Sequence, residues 1–168
     1  MNAILRNVGN FFLIPIQDSD FDPIAELAFN QMDNTLQKSW VEGFDWNHWI
    51  QDLQDTLKDE YQVVLKIENL HHEFVGFLWL DHDLKGKILW ITSFVLRPLY
   101  QRKGLGTIII NKLENYAKVS GFKTLQLGVQ RINPAIQFYK KLDFVEIGKA
   151  DYAGTILLRK DLTVKKEG

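Results

Sequence analysis

The chain has 168 residues, 46% of them hydrophobic and 24% charged, a composition that fits one globular domain over 1–168 and leaves no room for a second core. Its net charge of −1 conceals two opposed halves: residues 1–83 carry 4 Lys/Arg against 15 Asp/Glu, and residues 84–168 carry 16 against 6. The absence of cysteine excludes disulfides, thiolate metal sites and a cysteine nucleophile.

The first apolar run, residues 11–16 (FFLIPI), is too short for a signal-peptide core or a membrane span, so a cytoplasmic location is expected. It reads as a strand in which Pro15 marks an edge or an end. Asp22-Pro23 reads as a helix start, Asp capping and Pro first in the helix, with Ile24, Leu27, Ala28, Met32 and Leu36 on one apolar face. A second helix is expected from Asp45, with Trp46, Trp49, Ile50, Leu53 and Leu57 as its stripe. The period then changes. Residues 61–68 and 73–80 form a hairpin pattern, residues 81–86 a turn, and residues 87–96 a third strand closed by Pro98. Helical spacing returns from Gly104 and ends at Gly121, a glycine suited to a C-terminal cap. Residues 124–130 read as a strand, Asn133-Pro134 opens a short helix to about Leu142, and residues 144–149 and 155–160 close the chain as an antiparallel pair. The order β-α-α-β-β-β-α-β-α-β-β predicts an α/β (α+β) layout with one sheet.

The segment Arg97 to Thr107 (RPLYQRKGLGT) lies between a strand and a helix. Gly104 and Gly106 let the backbone turn and expose successive N–H groups, and the helix start adds unsatisfied donors and a positive dipole end. These features suit a phosphate or pyrophosphate, with Arg102 and Lys103 as added charges. The same residues also fit a plain turn with solvated basic side chains. Neither the dinucleotide fingerprint nor a P-loop is present, because Ile109 stands where the third small residue would be and Gly-Lys-Ser/Thr is missing.

Two motifs in order, Phe94-Val95-Leu96 with Pro98 and Gln101-x-x-Gly104-x-Gly106, then Asn133-Pro134-Ala135-Ile136-Gln137-Phe138-Tyr139 through Phe144, give the chain its resemblance to the GCN5-related N-acetyltransferase (GNAT) superfamily. The resemblance covers most of the chain and implies a single mixed, mostly antiparallel sheet flanked by helices. It implies that backbone amides of Arg102, Lys103, Gly104, Leu105, Gly106 and Thr107 cradle the pyrophosphate of acetyl-CoA, after Gln101. It also implies that Val95 and Leu96 pair with the pantetheine arm and that Asn133 hydrogen-bonds nearby. Tyr139 is implied as general acid to the CoA thiolate in direct transfer to a primary amine, with no metal. Asn133 before Pro also fits a plain helix cap, and Tyr139 a half-buried aromatic.

Two departures from the family pattern stand out. Asp143 occupies the usual glycine position, where Asp tolerates the left-handed conformation. The strand 87–96 holds no Asp or Glu, so a general base has to come from Glu26, Glu42, Glu73 or Asp81, from water, or be unnecessary. Trp40, Glu42, Phe44 and Asp45, between the first two helices, would form an aromatic, acidic wall for a cationic amine, or a loop packed by its own aromatics. His71, His72 and His82 fall on turns without metal-ligand spacing, and His48 on an exposed helix face. The expected partners are acetyl-CoA and an amine acceptor, with neither nucleic acid nor membrane, and the fold allows a homodimer. The competing expectation is an acyl-CoA-binding regulatory domain without turnover.

Overall fold

The computed structural model describes residues 5–40, 43–150 and 154–163. Strands β1 (Asn7–Val8), β2 (Phe11–Pro15), β3 (Gln62–Glu68), β4 (Phe74–Asp83), β5 (Ile88–Leu96), β6 (Thr124–Gln130), β7 (Val145–Lys149) and β8 (Thr155–Asp161) form one sheet. Its order is β1-β2-β3-β4-β5-β6-β8-β7, and β5–β6 is its one parallel pair among the described residues. The expected mixed, mostly antiparallel sheet is therefore present. Helices α1 (Phe21–Ser39) and α2 (Trp46–Asp55) cover one face, where Ile24, Leu27, Ala28 and Leu53 pack on Val64, Phe77, Trp79 and Val95. Helices α3 (Leu105–Val119) and α4 (Ala135–Lys141) cover the other, where Ile109, Leu113, Ile136 and Tyr139 pack on Leu78, Leu89, Leu127 and Leu158. The buried run Val75 to Leu80 in β4 serves both layers, which is why it reads as continuous apolar sequence rather than alternation.

Local chemistry explains most element ends. The Asp45 carboxylate accepts the Asn47 and His48 N–H groups and starts α2. α3 ends with Gly121 at φ +86° and the bonds Gly121 N–H to Lys118 O and Phe122 N–H to Ala117 O. α4 ends the same way with Asp143 at φ +67°, through Asp143 N–H to Lys140 O and Phe144 N–H to Tyr139 O. Asp143 thus performs the turn expected of it.

Several boundaries correct the sequence-based expectation. The short β1 was not anticipated; only two residues pair, Asn7 with Phe12 and Val8 with Phe11. α1 starts at Phe21, not after an Asp22 cap, because a 3₁₀ turn over Asp18–Asp20 leads into it. There the Asp20 carboxylate takes the Gln17 N–H at 2.8 Å and the Lys66 ammonium at 3.1 Å. Pro23 still lies in the first turn, where its missing N–H has no helical acceptor to lose. β4 runs through residues 81–83, expected as turn, because Asp81, His82 and Asp83 all pair with β5. Pro15 does end its strand.

The centre of the sheet carries the feature that matters for function. β5 and β6 pair only at Ile88–Thr124, Leu89–Leu125 and Trp90–Gln126. Beyond that row, Ile91 to Leu96 stays with β4 and Leu127 to Gln130 stays with β8, so a wedge opens between them. Close to the same row Thr92 is an extra residue, since Trp79 pairs with Ser93 and Leu80 with Ile91. Such a bulge sharpens the local twist and turns the strand away from its neighbour. Gly76 lets β4 follow, because a Cβ there would collide with the Val95 carbonyl oxygen and stand 3.0 Å from Leu96 Cα. Gly76→Ala is expected to destabilise the protein by about 1–3 kcal/mol, read as a lower urea midpoint with an unchanged slope.

Candidate active site

The carboxyl ends of adjacent parallel strands, where an open sheet parts, form the usual crevice for a ligand. β5 delivers the chain at that end into the segment before α3, and β6 delivers it into α4. After β5 a 3₁₀ turn over Pro98–Tyr100 precedes Arg102 at φ +56° and Gly104 at φ +84°. Among the described residues, none of the backbone N–H groups from Arg102 to Thr107 finds a backbone acceptor; the first that does is Ile108, to Gly104 O at 3.1 Å. A Cβ on Gly104 would meet nothing within 4 Å, so there is open space beside the middle of this run. The arrangement suits an anion, with the positive end of the α3 dipole next to it and Arg102 and Lys103 exposed.

The remaining residues expected here have distinct placements. Gln101 Nε2 donates to Leu96 O at 2.7 Å and to Gln31 Oε1 on α1 at 3.1 Å, so its amide braces the loop. Leu105 is buried in the core and can offer a ligand only its backbone. Gly106 has a packing duty as well: a Cβ there would stand 3.1 Å from Phe138 Cζ and 3.8 Å from Phe94 Cε1. Phe94, Gly106 and Phe138 thus join β5, α3 and α4. Phe138 was part of the motif but was not counted among the site residues. Val95 and Leu96 are buried, and their side of β5 has no strand partner toward β6. Asn133 Oδ1 accepts the Ala135 N–H at 2.9 Å, the helix-start role, which leaves its NH₂ group as the part able to reach a ligand.

Tyr139 is 7% exposed, wedged between Phe138 and Phe144 at ring distances of 5.0 and 5.4 Å. Its ring is therefore more deeply buried than the half-buried aromatic of the alternative reading. No described residue hydrogen-bonds its hydroxyl. Burial pushes its pKa well above the ordinary tyrosine value, so the group is a neutral donor across the physiological range.

The segment after α1 lies at the same open end of the wedge. A Cβ on Gly154 would stand 3.3 Å from Ser39 Cβ, and Gly154 O accepts the Arg131 N–H just beyond β6 at 2.7 Å. From there an aromatic ladder runs inward: Trp40 on Phe44 at 5.7 Å, Phe44 on Trp46 at 5.0 Å, Trp46 on Trp49 at 5.4 Å and Trp49 on Trp79 at 5.7 Å. Trp40 and Phe44 are thus brought together, and Glu42 lies outside the described residues. Asp45 engages α2 through its cap, so its carboxylate is not a free wall group.

Of the carboxylates considered as bases, Glu26 is exposed on α1, and Glu73 sits in the β3–β4 turn, held by Asn69 at 2.6 Å. Asp81 pairs with Trp90, on the row where the wedge opens. Burial and then the Asp59 charge raise its pKa above the usual carboxylate value. His82 is not the solvated turn residue expected: its ring nitrogens lie 2.7 Å from Tyr61 O and 2.9 Å from the Tyr116 hydroxyl. His48 pairs with Asp52 on an exposed face. Among the described residues no group of three His, Asp or Glu could hold a metal ion, and no helix is long and apolar enough to cross a membrane.

Comparison with known proteins bears on this geometry. Residues 26–144 match the profile of the family described as "Acetyltransferase (GNAT) family". An uncharacterized N-acetyltransferase of Methanocaldococcus jannaschii is 36% identical over 138 residues, 78% of this chain; the chain spans 59% of that relative's length. The crystal structure of an acetyltransferase from Thermus thermophilus has a TM-score of 0.71 at 19% identity, covering 92% of this chain and 98% of that one. The spermidine N-acetyltransferase of Vibrio cholerae in complex with CoA and spermine has a TM-score of 0.70 at 17% identity, covering 91% and 96%. At these identities the two structures establish a shared fold.

Inorganic pyrophosphate is expected to shift the backbone amide resonances of Arg102 to Thr107. Gly104→Val, a β-branched residue at φ +84°, should weaken that binding roughly tenfold. Shifts spread evenly over the basic half, or unchanged in the variant, would contradict an anion cradle.

Proposed function

The chain belongs to the GNAT acetyltransferase family, and from that premise we propose that it transfers the acetyl group of acetyl-CoA directly to a primary amine. The observation that carries the proposal is the run of unpaired backbone N–H groups from Arg102 to Thr107 at the mouth of the β5–β6 wedge. It suits a pyrophosphate, and the free side of β5 over Ile91 to Leu96 suits an extended, amide-bearing arm added as a strand. Acetyl-CoA supplies the thioester; the amine nitrogen bonds to the acetyl carbon as the carbon–sulfur bond breaks. This chain's residues hold the two reactants together in the wedge, which converts a bimolecular encounter into a positioned one. Tyr139 donates its hydroxyl hydrogen toward the sulfur as negative charge develops there. An ammonium first releases one proton to solvent; on attack the neutral amine loses a second, for which Asp81, in register with the apex of the wedge, is our candidate acceptor among the described carboxylates. The sulfur gains one.

For the acceptor we propose a cationic amine, bound against Trp40 and Phe44. Residues 1–83, which contain this wall, sum to −11. Ammonium groups bind well to aromatic faces in a negative field. The spermine held by the Vibrio cholerae structure has that chemistry.

Thiol release from acetyl-CoA, measured with spermidine, a lysine peptide, tyramine, glucosamine and aspartate, tests the proposal. Turnover should be fastest with the polycation and slowest with aspartate. Tight CoA binding without release on any amine would instead identify a binding domain. Tyr139→Phe keeps the ring packing and removes the donor. It is expected to lower kcat about a hundredfold with the acetyl-CoA KM within about twofold; an unchanged kcat would remove Tyr139 from the chemistry.

A further inference from the structure

The loop that carries the proposed acceptor wall is held by a polar latch on α1. Phe29, Asp33 and Gln37 on α1 and Trp40 just past its end recur at helical spacing, on a stripe separate from the apolar face that packs in the core. Each of them engages the segment over Phe44 and Trp46. The Phe29 ring lies 5.4 Å from that of Trp46. Asp33 Oδ1 accepts the Trp46 indole N–H at 2.7 Å and Gln37 Nε2 at 3.1 Å. The Gln37 amide then treats Phe44 as a strand neighbour would: Oε1 accepts the Phe44 N–H at 3.1 Å, and Nε2 donates to Phe44 O at 3.3 Å. Trp40 closes the stripe against the Phe44 ring. Gly43 makes room for the amide, since at φ +82° its Cβ would stand 3.2 Å from Gln37 Oε1.

We infer that Gln37, supported by Asp33, is a positioning residue for the amine acceptor, setting where Phe44 stands in the wall. The inference rests on the reading of Trp40 and Phe44 as acceptor-facing. Gln37 is exposed and stands outside the hydrophobic core, so its bonds fix the loop and not the fold. A short connection tied at one residue by two side-chain hydrogen bonds samples fewer conformations. The apparent affinity of a ligand falls in proportion to the fraction of loop in the competent form.

Gln37→Leu conserves size and helix propensity and removes both bonds to Phe44. With the panel amine that the wild type turns over fastest, its acceptor KM should rise roughly three- to tenfold. The acetyl-CoA KM and the kcat at saturating amine should stay within about twofold of wild type. Hydrogen exchange at the Phe44 amide should accelerate. Asp33→Asn, which keeps an acceptor oxygen for the Trp46 indole, should behave as wild type, and Asp33→Leu as Gln37→Leu. Unchanged Phe44 exchange overturns the latch. Faster exchange with an unchanged acceptor KM separates the latch from acceptor binding and overturns the inference while acetyl transfer stands. A lower melting temperature with a fall in kcat and no change in either KM reduces Gln37 to a structural part. Failure of the wild type on every amine removes the proposed function itself, and this inference with it.

Discussion

The parting of β5 from β6 is the constraint on which the rest depends. Two parallel strands in the middle of a sheet normally bond along their whole length, and an unmet backbone donor or acceptor in that position is costly. Here the pairing stops after Trp90–Gln126. The Thr92 bulge and the bare Cα of Gly76 make the parting possible, one by turning β5 away and the other by letting β4 follow it closely. What remains is a slot with backbone polar groups on β5 and an entrance formed by the carboxyl ends of both strands. An extended ligand with its own amides is the natural partner for such an edge, and a charged ligand end is the natural partner for the donors of the following loop.

α1 connects the two sides of that entrance. Through Gln31 it reaches the Gln101 amide, which also braces Leu96 O at the end of β5. Through Asp33 and Gln37 it reaches Phe44 and Trp46 on the opposite rim. One helix thus ties the loop before α3 to the segment before α2, and under the proposed function it would space the two reactants. The charge halves follow the same division: the loop before α3 belongs to the basic half of the sequence, and Trp40 and Phe44 to the acidic half.

What could be read from the sequence was what short-range chemistry decides. The Asp45 cap, the left-handed Gly121 and Asp143 ends of α3 and α4, and the β6 span each depend on a handful of adjacent residues. The glycine loop before α3 was legible for the same reason. Long-range facts were not. The length of β4 depends on what β5 offers it, and the start of α1 depends on Lys66, which holds Asp20 from β3. Gly76 looked like one more strand residue, yet its value lies in the Val95 carbonyl on a neighbouring strand. The latch was visible in principle, since Phe29, Asp33, Gln37 and Trp40 have helical spacing. It carries two polar members, though, and a search for apolar stripes passes over them.

The burial of Tyr139 refines the role assigned to it from the motif. An alkyl thiol has a pKa of about 8.5, below that of an ordinary phenol, and burial raises this phenol further. Complete transfer of the tyrosine proton to the thiolate would therefore run uphill and leave a phenolate among Phe138, Phe144 and the core. Donation of a hydrogen bond has no such penalty. It strengthens as charge builds on sulfur, and strengthens more in a dry pocket than in water. Under the proposed function, burial would make the group a poorer acid and a better hydrogen-bond donor to the departing thiolate. On the proposed reading, the proton that finally neutralises sulfur comes from water at the open end of the wedge rather than from Tyr139.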